Sequence, residues 1–105
     1  MLTPQEHDRL QQYTHGIDVQ HLTEVFNALS EPNRCLIFRA LLKGKPVRVS
    51  DLARVIGISD PLASQHLKTL LQAALVTKRK DGKNVYYSVN HANPLVEALQ
   101  KAVES

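Results

Sequence analysis

Cationic side chains are crowded into one short stretch of the sequence. Residues 78–83 contain four cations and one anion, and the whole chain carries a formal net charge of +3. This stretch therefore holds an excess as large as that of the entire chain. A charge that serves solubility would be spread out, so the concentration predicts a contact surface. The cations are Lys78, Arg79, Lys80 and Lys83, and the anion is Asp81.

Hydrogen-bonding side chains form a second candidate site just before this stretch. Ser64 and Gln65 can hydrogen-bond to base edges in the major groove of DNA. Leu62 or Ala63 could contact a thymine methyl group. Lys68 lies one helical turn further on, where it could reach a phosphate. Taken with the cationic stretch, these residues favour double-stranded DNA as the partner over a solvated surface hairpin.

The full set of predicted DNA contacts includes both sites. Asp60 lies within the first site, and it either stabilises the N-terminus of a helix or accepts from a cytosine amino group. The structural interpretation is preferred, because a carboxylate near DNA is repelled by phosphate. The predicted contacts are Ser59, Pro61, Leu62, Ser64, Gln65, His66, Lys68, Lys78, Arg79, Lys80 and Lys83.

Three predicted helices precede these sites. Thr3, Pro4 and Glu6 form a capping box with proline at the first helical position. Asp18 caps the second helix, and Ser30 with Pro32 begins the third. The third helix is apolar on nearly all sides, which predicts burial at the centre of the domain. The three helices are predicted over residues 4–13, 18–29 and 32–43, with Gly44 ending the last.

A helix-turn-helix and a hairpin are predicted to carry the two candidate sites. A short extended piece covers residues 46–49, and Ser50 with Asp51 opens a helix that Gly57 ends. Ser59 caps the next helix, which runs to about residue 73. Two strand-like runs, 75–80 and 83–89, flank Asp81-Gly82, a pair preferred in tight hairpin turns where both positions need positive φ. Tyr86 and Tyr87 alternate faces of the second run, so one of them should pack on the helix.

The order of elements defines the fold class. Asn93-Pro94 begins a last amphipathic helix, so the order is α-α-α-β-α-α-β-β-α. This is a mainly α fold with a small β wing, a dimeric winged helix-turn-helix in a single domain of 105 residues. Its predicted parts are a helical arm (1–16), a helix-turn-helix (50–73), a β-hairpin wing (75–89) and a dimerisation helix (93–105).

Four motifs in the right order make the sequence resemble the ArsR/SmtB family of winged-helix repressors. The resemblance covers roughly residues 20–104. It implies a homodimer held by the terminal helices, which binds an inverted-repeat operator and is released by a metal ion or another signal. The motifs are Ala28-Leu29-Ser30-Glu31-Pro32-Asn33-Arg34, Ser50-Asp51-Leu52-Ala53, Ser64-Gln65-His66-Leu67-Lys68 and Gly82-Lys83-Asn84-Val85-Tyr86-Tyr87.

The metal ligands of that family are missing from this sequence. Family members that sense soft metals carry a Cys-x-Cys pair where this chain has Arg48 and Ser50. The family's zinc site on the last helix draws on Asp and His, whereas this chain has His91, then Asn93, and no histidine from residue 94 onward. We therefore predict no metal and no cofactor, and the effector remains open.

The remaining thiol and imidazole groups are interpreted as structural. Cys35 is the single cysteine and is predicted to be a small core residue rather than a sensing thiol. His7, His15 and His21 do not share a helical face, so solvated histidines are preferred over a metal site. For His66, packing or a phosphate contact is preferred over ligation.

Composition sets the outer limits of function. No run approaches the ~18 apolar residues of a membrane span, and the polar N-terminus lacks a signal peptide's apolar core. A cytoplasmic protein is therefore expected. No nucleophile–base pair or phosphate-binding glycine loop points to an enzyme. The alternative to an operator-binding regulator is a winged-helix module that contacts proteins and has no operator of its own.

Overall fold

Helices and strands follow one another in the predicted order. The computed structural model describes residues 1–104 and contains, in that range, six helices and one three-stranded antiparallel sheet. The last residue of the predicted dimerisation helix, 105, lies outside the described residues. The elements are α1 (Pro4–His15), α2 (Val19–Leu29), α3 (Pro32–Leu41), β1 (Val47–Arg48), α4 (Val49–Ile56), α5 (Asp60–Gln72), β2 (Val76–Asp81), β3 (Asn84–Val89) and α6 (Leu95–Val103).

One apolar cluster joins all of these elements except α1. Burying a large apolar side chain contributes about 1.5–3 kcal/mol, so residues drawn from many elements fix those elements against each other. As a result α5 is held between α3 and α4 on one side and the sheet on the other. The largest fully buried side chains are Val25, Ile37, Phe38, Leu41, Leu52, Leu67, Leu70, Leu75, Val76 and Val96.

The first helix stands apart from this cluster. Its capping box forms as predicted, since Thr3 Oγ1 accepts from the Glu6 backbone N–H and Glu6 Oε1 accepts from that of Thr3. No residue of α1 is buried, and Leu10 and Tyr13 are 51% and 83% exposed. An amphipathic helix with no partner in its own chain leaves its apolar side chains in water.

The third helix lies at the centre of the domain as predicted, in contact with α2, α4, α5, β3 and α6, but not all of its apolar side chains are buried. Ile37, Phe38 and Leu41 are buried, but Leu36 is 48% exposed and Cys35 is only half-buried. One face of the helix is therefore open in the single chain. The helix also ends two residues early, because the chain tightens into a turn before Gly44.

The start of α4 also differs from the prediction, because the chain runs directly from β1 into the helix. The helix begins at Val49, two residues before the predicted start, and no side chain caps it. Strand β1 pairs with β3, with Val47 opposite Tyr87 and Arg48 opposite Tyr86, and the chain passes from this strand directly into the helix. Gly57 ends α4 as predicted, with a φ of +84°.

The hairpin turn lies one residue further along than predicted. Asp81 pairs with Asn84, so the two-residue loop is Gly82-Lys83 rather than Asp81-Gly82. Gly82 has a φ of +63°, and Lys83 is not among the described residues with positive φ. A two-residue loop with glycine first suits a type II′ turn, which needs positive φ at that position alone.

Candidate nucleic-acid interface

The N-terminal part of α5 presents a row of exposed side chains. Ser59 caps the helix as predicted, its Oγ accepting from the Leu62 backbone N–H at 3.2 Å. Pro61, Ser64, Gln65 and Lys68 follow at helical positions i, i+3, i+4 and i+7, so they share one face. All four are exposed. We call these four residues the outer face of α5.

The opposite side of α5 faces the core. Ala63, Leu67 and Leu70 have no exposed surface. Ala63 is therefore unable to reach a thymine methyl group, and that alternative is wrong. Leu62, the other candidate, is 36% exposed. Only one of the two apolar residues proposed for base contact is available to solvent.

His66 also lies on the buried side of α5. It is 9% exposed, and its Nε2 atom lies 3.6 Å from Oε2 of Glu31. The sequence predicts that His66 either packs in the protein or contacts a phosphate. Its burial supports packing and argues against its place among the predicted DNA contacts. His66 is therefore not part of the exposed surface of α5.

Glu31 connects this histidine to the start of α3. Its carboxylate accepts a 2.9 Å hydrogen bond from the Arg34 backbone N–H and so caps that helix in place of Ser30. The bond from Arg34 lowers the pKa of Glu31 below its usual value of 4.5, and the nearby His66 adds to this lowering. The contact between His66 and Glu31 joins the buried side of α5 to the start of α3.

The sheet divides the cationic stretch between its two faces. In antiparallel strands, side chains of paired residues point to the same face. Lys78 is opposite Tyr87, and Lys80 is opposite Val85. Tyr87 is 8% exposed and belongs to the core, and it lines a cleft together with residues of α5. Lys78 and Lys80 therefore lie on the face of the wing that meets α5.

Arg79 lies on the other face of the wing. It is opposite Tyr86, which in turn is opposite Arg48 on β1. The guanidinium carbon of Arg79 lies 6.0 Å from the centre of the Tyr86 ring, within the range of a cation–π contact. Because β-strand side chains alternate, the cationic stretch forms two surfaces rather than the single cluster that its sequence indicates.

A cleft between α5 and the wing brings several predicted residues together. The outer face of α5 lines one side of it, and Lys78 with Tyr87 lines the other. Lys80, Arg79 and Lys83 lie outside this lining, as do Ser59 and Leu62. The sequence did not indicate Leu71 and Gln72, which complete the cleft one turn beyond Lys68. Continuing the i+3, i+4 spacing from that lysine would have found both.

Arg48, at one of the two positions of the family's soft-metal site, forms an ion pair with Asp51. Arg48 Nε lies 3.3 Å from Asp51 Oδ2, and both side chains are nearly half exposed. Within residues 1–104, no group of three or more His, Cys, Asp and Glu side chains is placed to hold a metal ion. No helix in the same range is long and apolar enough to cross a membrane.

Comparisons with known proteins agree with this geometry. Residues 31–78 match the model of the bacterial regulatory protein arsR family. The transcriptional repressor SdpR of Bacillus subtilis is 39% identical over 69 residues, which cover 66% of this chain and 76% of SdpR. The SmtB homolog of Synechocystis, a transcriptional repressor, is 38% identical over 74 residues, and this chain spans 55% of its length.

A solved structure extends the likeness to three dimensions. The homodimeric winged helix-turn-helix DNA-binding domain of Mb0332 from Mycobacterium bovis is 27% identical. It superposes with a TM-score of 0.72 over 82% of this chain and 77% of that one. The resemblance carried by the four sequence motifs is thereby confirmed. The chain belongs to the ArsR family of winged helix-turn-helix, DNA-binding transcriptional regulators.

Proposed function

We propose that the protein is a homodimeric repressor that binds an inverted-repeat operator and leaves it in response to a signal. The observation that carries this proposal is the cleft, where the outer face of α5 and Lys78 of the wing face a common space. A helix that enters the major groove needs an exposed polar face at its N-terminal end. The wing beside it needs cations for the flanking backbone.

Base reading is assigned to the middle of the outer face. Ser64 and Gln65 are exposed and adjacent, and both carry groups that donate and accept hydrogen bonds. Gln pairs in bidentate fashion with adenine, so Gln65 is the principal specificity residue in this proposal. Pro61, Ser59 and the exposed part of Leu62 lie at the same end of the helix and complete the base-facing surface.

Backbone binding is assigned to cations on both sides of the cleft. Lys68 extends from α5 and Lys78 from β2, so a phosphate between the helix and the wing would meet both side chains. Lys80 and Lys83 continue towards the hairpin tip, and Arg79 lies on the far face of the wing. Such contacts position the protein without reading sequence.

The dimer is assigned to the terminal helices. The apolar residues Leu2, Leu10 and Tyr13 of the arm, and Ile17 just after it, are exposed, and α1 contains no buried residue. In α6, Leu95, Leu99 and Val103 are only partly buried by the core. A second copy that covers both sets would bury them, and the Mb0332 domain is itself homodimeric. We further propose a single domain without enzymatic activity that acts in the cytoplasm.

Selection from a random duplex pool tests the operator proposal. The wild-type protein should enrich an inverted repeat, because a two-fold symmetric dimer reads two identical half-sites. Gln65→Ala should enrich the same repeat with relaxed preference at particular bases. The matched control Gln20→Ala removes an exposed amide on α2 and should leave the selected sequence unchanged. Failure of the wild type to enrich any sequence would contradict the proposal and favour a protein-contact module.

A further inference from the structure

Two asparagine side chains meet on one carbonyl at the end of α5. Asn90 Nδ2 donates to the Ala74 carbonyl at 2.9 Å, and Asn93 Nδ2 donates to the same oxygen at 3.1 Å. Ala74 has a φ of +59°, which turns the chain sharply out of the helix. A non-glycine residue adopts that conformation only where its surroundings hold it. We call these three residues the asparagine clasp.

The other end of each amide is also used. Asn93 Oδ1 accepts from the Leu95 backbone N–H at 3.1 Å, at the first turn of α6. Asn90 Oδ1 accepts from the Ala92 backbone N–H at 3.2 Å. Asn93 is 6% exposed, so leaving its amide unpaired would carry a desolvation penalty. Each asparagine therefore bridges the end of α5 and the segment that begins α6.

The clasp links two helices with different proposed tasks. α5 carries the outer face, and α6 carries part of the proposed dimer contact. The apolar packing of α6 is mainly on α3 rather than on α5. Besides the clasp, Asn90 N–H donates to the Leu75 carbonyl at 3.0 Å, which holds the end of β3 at the same point. The direct link between the end of α5 and the start of α6 is therefore made by polar contacts at one short junction.

We propose that Asn90 and Asn93 are positioning residues that fix the angle between α5 and α6 and so determine the operator's half-site spacing. In a dimer joined through α6, that angle sets how far apart the two α5 helices lie. A fixed angle allows one spacing, whereas a loosened one allows several. This inference rests on the proposed homodimeric function.

Aspartate substitutions remove the hydrogen bonds donated to the Ala74 carbonyl but keep those that the two side chains accept from the backbone. Asn90→Asp with Asn93→Asp keeps both Oδ1 acceptors but removes both donors to Ala74. The wild type should bind the full inverted repeat more tightly than a single half-site. In the double variant this ratio of affinities should fall about tenfold, since two hydrogen bonds are broken. Selection from the random pool should return the same half-site at several spacings, where the wild type returns one.

Charge is controlled by a matched double variant. Gln20→Glu with Asn27→Asp adds the same two charges at exposed positions of α2, and it should keep the wild-type spacing. Circular dichroism checks that each variant is folded, and the single variant Asn90→Asp replaces the double one if the latter is not. Sedimentation of each variant should show an unchanged dimer, so the broadened spacing is not a loss of pairing.

The outcomes separate the two proposals. A folded clasp variant that selects one spacing with undiminished preference would overturn the positioning role and leave the operator proposal intact. A wild-type selection without an inverted repeat would overturn both. Broadened spacing with an unchanged half-site sequence supports the inference, because a general structural defect would weaken half-site binding as well.

Discussion

The two sides of α5 show how one helix meets two different requirements. The inner side, with Ala63, Leu67 and Leu70, is fully buried and fixes the helix in the core. The outer face, with Ser64 and Gln65 among its members, is exposed and lines the cleft towards the wing. Substitutions on the inner side should therefore alter stability, and those on the outer face should alter DNA binding at unchanged stability.

Leucine truncations on the two sides give the largest expected contrast. Leu67→Ala should destabilise the protein by about 2–5 kcal/mol, because it leaves a cavity in the core. Leu62→Ala, on the partly exposed side of the same helix, should cost clearly less, about 1 kcal/mol, because the side chain is 36% exposed. Urea unfolding of both variants measures the difference. Equal losses would mean that the helix is packed differently.

A base-contact substitution should show the opposite pattern. Gln65→Ala should weaken binding to the selected operator by roughly 1–3 kcal/mol and leave binding to random duplex unchanged. The urea midpoint should stay at the wild-type value, because the side chain is exposed. Fluorescence anisotropy with the two duplexes measures the split. A similar loss on both duplexes would indicate a backbone contact instead.

Glu31, which contacts His66 on the buried side of α5, predicts a smaller effect of pH on stability. The lowered pKa of Glu31 means that the folded state favours its charged form, so this group stabilises the protein above its unfolded pKa near 4.5. That contribution is lost as the pH falls through the lower folded value. Glu31→Gln should therefore reduce stability at pH 7 and weaken its dependence on pH in the acid range. An unchanged acid limb in thermal melts would contradict this role.

Exposed Glu6 serves as the matched control for that experiment. Its pKa is also lowered, chiefly by the hydrogen bond from the Thr3 backbone N–H within the capping box of α1. Because α1 buries no residue, Glu6→Gln should affect fraying of that helix more than global unfolding. A comparison of the two variants assigns the acid-sensitive part of stability to the junction of α3 and α5.

Local chemistry explains why most of the fold could be predicted from the sequence. Caps such as Thr3, Asp18 and Ser59 and the terminating Gly57 act within a few residues, and the structure confirms all four. The hairpin register could not be fixed in this way, because Asp81-Gly82 and Gly82-Lys83 both suit a two-residue turn. Pairing along the whole of β2 and β3 selects the second.

The site was harder to predict than the fold because it depends on which way each side chain faces. His66 directly follows Gln65 in the sequence, but successive helix residues point about 100° apart, so His66 is buried while Gln65 is exposed. In the same way, Lys78 and Arg79 are neighbours in sequence yet occupy different faces of the wing. Tertiary packing decides the direction in which each side chain points, and the positions of charges along the sequence do not reveal it.

Salt dependence of DNA affinity tests the proposed cleft most directly. Lys68→Ala with Lys78→Ala removes one cation from each side of the cleft. Lys43→Ala with Lys45→Ala removes two exposed cations at the end of the sheet away from the hairpin tip. The plot of log K against log salt should flatten by about 3.6 for the cleft variant, since the dimer loses four phosphate contacts and each contributes about 0.9. The control should keep the wild-type slope, whereas equal slopes in all three proteins would contradict DNA binding through this cleft.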